Sequence, residues 1–379
     1  MIYRSLCGHE VSLLGFGAMR LPVIDGQEGC PDEQLVVKMV DYAIEHGINY
    51  FDTAWGYHDG TSENVMGRAL AKHPRDTWYL ASKFPGYDLG NFGKHEQIFE
   101  TQLERAGVDH FDFYLLHNVC ELNIEHYLDD SRFGTVSYFL EQKKAGRIGH
   151  LGFSVHGNFD TFTHFLDVYG DVMEFCQIQL NYLDWDFQDA KAKVEALNER
   201  GIPIIVMEPL RGGNLITLDE KAAAELETLR PGKSPVDWAF RFLQGIPGIA
   251  VVLSGMSALD QMIDNVGIFE TCEPLDEQQK AALFAIAAEK VAKTALPCTK
   301  CHYCVSHCPQ ELDIPWLIEL YNEHQSREDG QFIAPMALAA LDDDKKPSAC
   351  IGCGACEAVC PQQLPIPETM TKFAEQLGL

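Results

Sequence analysis

Apolar and polar residues alternate along the first 290 positions in a coarse, regular rhythm. Short apolar runs occur at Leu13–Gly17, Ile48–Asp52, Trp78–Lys83, Phe113–His117, Ile148–Ser154, Phe175–Leu180, Ile202–Met207 and Ile249–Ser254. Between them lie longer amphipathic stretches, among them Glu33–His46, Ser62–Ala71, Lys94–Ala106, Tyr138–Ala145 and Asp186–Glu199. Ser234-Pro235-Val236-Asp237 carries a helix start: an N-cap Ser, Pro at the first helical position and an acid soon after. Eight strand–helix units imply parallel strands joined by crossovers, and the length suits a TIM barrel over residues 1–274. An open doubly wound sheet would carry a G-x-G-x-x-G loop after its first strand; Leu14-Gly15-Phe16-Gly17-Ala18-Met19 does not. Leu275–Ala292 reads as a helix leading out of the barrel, within a connector over 275–296. Pro297 marks the start of a further domain over 297–379.

The fold expectation is therefore an α/β chain: a (β/α)8 barrel followed by a small α+β domain. Charge and cysteine content refine it. The formal net charge of −27 argues against nucleic acid as a partner, because phosphate backbones are bound by clustered Lys and Arg. No apolar run reaches the roughly 18 residues of a membrane span, and the N-terminus has no apolar signal core, so a cytoplasmic protein is expected.

Thirteen cysteines are present, and eight crowd the last 82 residues. They form two copies of one spacing: Cys298, Cys301, Cys304, Cys308-Pro309, and Cys350, Cys353, Cys356, Cys360-Pro361. Such a run holds 4Fe–4S clusters in two-cluster ferredoxins, the fourth Cys ligating the other cluster. Two clusters are expected, one on Cys298, Cys301, Cys304 and Cys360, the other on Cys350, Cys353, Cys356 and Cys308. Zinc also takes C-x2-C pairs, but it gains nothing from a third Cys and a terminal Pro. Within the 41 residues between Cys308 and Cys350, Trp316–Tyr321 reads as a helix and Asp342–Asp344 as a solvated turn.

Barrel chemistry sits at the C-terminal ends of strands. There the sequence places Asp52 and Tyr57 after the second strand, Lys83 on the third and His117 on the fourth. Lys and Asp can form a buried ion pair, and a cation beside a phenol lowers its pKa. A Tyr so tuned can donate a proton to a carbonyl oxygen that a His orients.

These segments resemble the aldo-keto reductases. The resemblance is carried by Gly15-Phe16-Gly17, Phe51-Asp52-Thr53-Ala54-x-x-Tyr57, Glu63-x-x-x-Gly67-x-Ala69-Leu70 and Ser82-Lys83. It continues through Asp112-x-Tyr114-Leu115-Leu116-His117, Gly149-x-x-Gly152-x-Ser154, Gln177-x-Gln179-x-Asn181-Tyr182, Pro209-Leu210 and Gln261-x-x-Asp264-Asn265. The Cys-rich end resembles the subgroup with a bacterial-ferredoxin-like domain. The resemblance implies NADPH or NADH as cofactor, with Tyr57 as general acid, Lys83 and Asp52 tuning it, and His117 orienting the carbonyl. Ser154 and Gln177 match residues that hold the nicotinamide carboxamide. Pro209, Leu210, Ser254, Gly255, Gln261 and Asn265 match the nucleotide loops.

Three positions depart from the family pattern. Met207 stands where an aromatic stacks on nicotinamide, and Glu208 stands in place of a Ser near the pyrophosphate. Around Gly255-Met256-Ser257-Ala258 no Arg or Lys awaits a 2′-phosphate, a role for which Arg211 and Arg241 are the candidates to compensate. Cys120, just past His117, reads as a plain pocket or packing thiol, and Trp55 as a wall of the substrate site or a simple packing group.

The implied function is reduction of a small-molecule carbonyl, or oxidation of an alcohol, coupled to one-electron transfer with a partner such as ferredoxin. A flavin, which handles hydride and single electrons alike, could join the two chemistries. Two alternatives stand beside it: an electron carrier whose barrel docks or senses nucleotide, and a conventional reductase braced by structural clusters. Substrate specificity is expected from the loops His58–Ser62, Phe84–Phe92, Asn118–Gly134 and His156–Phe159.

Overall fold

Each of the eight apolar runs forms a strand in the computed structural model. It describes the chain apart from residues 295, 297, 299–303, 327–331 and 361–362. Pro297, Cys301 and Pro361 lie outside the described residues. The strands are β3 (Leu14–Gly17), β4 (Tyr50–Asp52), β5 (Tyr79–Phe84), β6 (Phe111–Val119), β7 (Ile148–Val155), β8 (Cys176–Gln179), β9 (Ile204–Met207) and β10 (Ile249–Ser254). They close into one parallel barrel in sequence order, with β10 returning beside β3. Parallel strands buried on both faces need continuous apolar sequence, which is why these runs do not alternate.

The helices hold the expected places. Glu33–Glu45, Ser62–Leu70, His95–Ala106 and Thr135–Lys144 follow their strands, and Ser234 caps Pro235–Gln244 by accepting from Asp237 N. The expected helix over Asp186–Glu199 is two helices, Asp184–Phe187 and Ala190–Glu199, parted at Asp189, whose φ is +52°. Gly67 sits where Ser62–Leu70 crosses His95–Ala106; a Cβ there would stand 2.2 Å from Ala106 O.

Ahead of the barrel, β1 (Tyr3–Leu6) and β2 (His9–Ser12) form an antiparallel hairpin that the apolar pattern does not announce. Its Leu6 and Val11 pack on Tyr50, Phe113, Phe175 and Ile205. That apolar plug closes the barrel floor and leaves the C-terminal mouth for chemistry.

The chain divides into two compact units, Met1–Lys280 and Ala281–Leu379, with the division inside the helix Glu277–Thr294. The second unit differs from the α+β expectation: its described residues form helices and tight turns, with no strand among them. Its core is helix-built, with Leu317, Ile318, Leu338, Met370 and Phe373 buried between Ile314–Gln325, Ile333–Ala339 and Ile366–Leu377. Such amphipathic helices bury their apolar stripes on each other without needing a sheet. No helix among the described residues is long and apolar enough to cross a membrane.

Candidate active site and cysteine clusters

Strand geometry brings four polar groups to the barrel mouth. Asp52 ends β4, Lys83 lies on β5 and His117 on β6; Tyr57 follows β4 on the turn Tyr57–Gly60. Lys83 and Asp52 are buried. Lys83 Nζ donates to Asp52 Oδ1 at 2.5 Å, to Thr53 O at 2.7 Å and to Tyr57 OH at 3.3 Å. Three acceptors match the three protons of an ammonium group, so the buried charge is fully satisfied. The His117 ring meets the Tyr57 ring edge-on at 6.2 Å, and Tyr87 meets His117 at 5.4 Å.

Burial dominates the electrostatics. It lifts the Tyr57 pKa above the usual phenol value, although the Lys83 charge pulls the other way. This corrects the sequence expectation of a lowered phenol: a cation's presence is legible in sequence, the weight of desolvation is not. Burial also opposes the charge on Lys83, yet Asp52 and Tyr57 outweigh it, and the ammonium pKa is raised. Burial, then the Lys83 charge, holds His117 well below the usual imidazole range, so the ring is neutral. These directions favour a protonated phenol, a charged ammonium and a neutral imidazole, while burial raises the Asp52 pKa against the pull of Lys83.

Behind Lys83 lies a second buried set. Glu63 accepts from Ser82 Oγ at 2.6 Å and Gln102 Nε2 at 2.7 Å, and Gln102 also donates to Lys83 O. Arg105 joins Glu63 at 3.4 Å and stacks over Trp55 at 4.0 Å. Trp55 is thus gripped beneath the turn that carries Tyr57. His58, next to Tyr57 and buried, accepts from Leu21 N at 3.0 Å; its Nδ1 lies 2.9 Å from Glu28 O and so carries the ring proton.

The implied nucleotide positions surround the same mouth. Ser154 and Gln177 are neighbours in register on β7 and β8. Ser154 Oγ accepts from Asn118 N, whereas Gln177 Oε1 is buried without a hydrogen-bond partner among the described residues. An orphaned acceptor of this kind suits a carboxamide NH2. Met207 ends β9, and Glu208 follows with φ +57°, its carbonyl held by Asn181 Nδ2 at 2.9 Å. Pro209 is buried and Leu210 half-buried. Beyond β10, Asn265 Nδ2 donates to Ser254 Oγ, and exposed Gln261 accepts from Ser257 N beside Gly255.

The two compensating cations are committed elsewhere. Arg211 is buried against Asp184, with Nε 3.0 Å from Oδ1. Arg241 is buried among Asp237, Gln244 and Thr271, toward the start of β10 and the barrel floor. The cation that does reach the strand-end loops is Arg20, which sequence reading passed over. Tyr87 was likewise placed only within a loop. Both need the closed barrel to bring them into the site. Cys120 is buried and its thiol is pushed up to about 12, so it is an inert packing group.

In the second unit, Cys308 of the first run and Cys350, Cys353 and Cys356 of the second line one cavity, with Leu312, Ile314 and Met370. Cys298, Cys304 and Cys360 pack against the same apolar core. No group of three His, Cys, Asp or Glu side chains among the described residues suits one metal ion. Four thiols lining one cavity suit a multi-iron cluster.

The chain belongs to the aldo/keto reductase family, whose model matches residues 13–288. Residues 297–364 match the 4Fe-4S dicluster domain. A probable aldo-keto reductase 1 of Glycine max is 30% identical over 216 residues, covering 54% of this chain and 58% of that protein. The L-galactose dehydrogenase of Arabidopsis thaliana is 25% identical over 72% of this chain and 89% of its own length. Among solved structures, an aldo-keto reductase of Bacillus halodurans superposes with a TM-score of 0.62 at 25% identity, covering 76% of this chain and 96% of that one. The chain is thus an oxidoreductase of this family with an added iron–sulfur region.

Proposed function

We propose that the barrel interconverts a small carbonyl compound and its alcohol, with Tyr57 as general acid and base, and that the second unit holds two 4Fe–4S clusters passing single electrons to a partner. The observation that carries the first part is the Lys83 ammonium, which meets Asp52, Thr53 O and the Tyr57 hydroxyl inside a buried mouth. A nicotinamide dinucleotide, when bound, supplies the hydride; an aldo/keto reductase of Klebsiella pneumoniae with this fold is solved with NADPH. Gln177 would hold its carboxamide, beside Ser154. Tyr57 donates its proton to the carbonyl oxygen. The Lys83 charge stabilises the phenolate left behind, and Asp52 keeps that charge in place. Neutral His117 orients the same oxygen. Its Nδ1 has no partner among the described residues and is not locked to the protein.

For the clusters, Cys350, Cys353, Cys356 and Cys308 would form one ligand set, and Cys298, Cys301, Cys304 and Cys360 the other. The four thiols around one cavity support the first set. Cys353 is exposed and Ile351 is 62% exposed at the rim of that cavity, which suits a one-electron partner docking there.

Replacing Tyr57 by Phe tests the barrel assignment. Carbonyl turnover with NADPH or NADH should fall by about 10²–10⁴ while cluster absorbance stays unchanged. Undiminished turnover would remove Tyr57 from the chemistry.

A further inference from the structure

The strand-end loops that should receive the dinucleotide's phosphates carry an acid at Glu208 and no basic residue of their own between Gly255 and Ala258. A phosphate placed near that acid is held more firmly where a cation stands beside it. The structure brings one. Arg20, just past β3, lies against both loops. A Cβ on Gly255 would meet Arg20 Cβ at 3.1 Å and its Cγ and Cδ at 3.3 Å. A Cβ on Gly212 would meet Arg20 Nη2 at 3.1 Å and Glu208 Oε2 at 3.8 Å. The stem therefore runs over Gly255, and the guanidinium ends against Gly212, near the same point that the Glu208 carboxylate approaches. Ser257 Oγ donates to Arg20 O at 2.9 Å and fixes the backbone from which the side chain reaches. No ion pair to Arg20 is found among the described residues, in contrast to Arg211 and Arg241.

Glycine at 212 and 255 lets the arginine lie flat over the loops. At 212 the φ of +65° adds a conformational reason for glycine. A planar guanidinium with several donors is the side chain best suited to grip phosphate oxygens.

We propose that Arg20 is the phosphate-binding cation of the dinucleotide site, supplied across the barrel seam from the first strand rather than from the loop after the last. The proposal rests on the nicotinamide reading given above. Its effect is to anchor the phosphate end directly while Gln177 and Ser154 hold the nicotinamide.

The test is a titration of the anaerobic holoprotein with NADPH and, separately, NADH, read by quenching of intrinsic Trp fluorescence. Wild type is compared with Arg20→Gln, Arg20→Lys and the double variant Arg20→Gln/Glu208→Gln, with circular dichroism and cluster absorbance reporting the fold. Arg20→Gln should weaken binding about tenfold or more, and Arg20→Lys by less. Equal loss for both nucleotides assigns the contact to the shared pyrophosphate; loss confined to NADPH assigns it to the 2′-phosphate. Should Arg20→Gln fail to fold, unchanged affinity in folded Arg20→Lys counts against a guanidinium grip. Wild-type affinity in Arg20→Gln overturns the proposal. So does wild-type affinity restored in the double variant, because Arg20 would then only screen Glu208. Wild type that binds neither nucleotide removes the nicotinamide reading itself, a result distinct from any of these.

Discussion

In the proposed role of Tyr57 as proton donor, two opposing effects set its protonation. The Lys83 charge favours the phenolate, burial opposes it more strongly, and the phenol stays protonated at physiological pH. A group whose pKa is raised loses its proton only above its ordinary value, so carbonyl reduction should hold steady through neutrality and decline only above about pH 10. His117 adds no acidic limb near its usual pKa, because burial and Lys83 keep the ring neutral to well below that value. A pH profile of kcat that fell between pH 6 and 8 would contradict both assignments. Lys83→Met should lower kcat and leave Asp52 a buried carboxylate without its cation, which favours the protonated acid; stability should fall with activity. The sequence showed which residues gather here, because strand ends are fixed by the apolar runs. It could not show the sign of the Tyr57 shift, since desolvation depends on every group packed around the ring. Arg20 escaped notice for a related reason: it is far in sequence from each residue it touches.

Among the elements, those with the strongest period were the most readable. Eight near-continuous apolar runs could only be strands buried on both faces, and all eight are. The N-terminal hairpin was not legible: its strands are four residues each, and its only signal is Gly8 in a two-residue turn. The pair of helices Ser62–Leu70 and His95–Ala106 matters to the site because it carries Glu63 and Gln102, which brace Lys83 from behind. Gly67→Ala would drive a methyl into Ala106 O, force these helices apart and loosen that brace. The expected result is a thermal transition lowered by several degrees together with a reduced kcat, measured by calorimetry and steady-state turnover. On the floor side, burial would raise the Glu174 pKa, but hydrogen bonds from His150, Lys143 and Leu151 N bring it down to about 2. A depressed carboxylate stabilises the fold above its unfolded value and ceases to do so as pH falls through its folded one. Acid should therefore weaken this tie between about pH 4.5 and 2, and Glu174→Gln should flatten that part of the stability curve.

At the scale of the whole chain, two compact units with different sources of stability share one polypeptide. The barrel rests on a large apolar core and a plugged floor, whereas the second unit has a small helical core that six cysteines among the described residues join or pack against. Iron clusters would add binding free energy to the smaller unit and not to the barrel. Chelating the iron under reducing conditions should lower the melting transition of the second unit and leave the barrel transition in place, giving two separated peaks by calorimetry. A single transition that moved as one would instead mean that the units unfold cooperatively. The seam of the barrel carries a different consequence. Because β10 closes against β3, the loop bearing Arg20 and the loop bearing Ser257 meet across 237 residues of chain. At about 5–20 residues per second of synthesis, the ribosome needs roughly 12–50 s to make the second loop after the first. A nascent chain cut short before its last strand would hold Tyr57 and Lys83 but no closed seam, so on the proposed function turnover would begin only after the barrel has been completed.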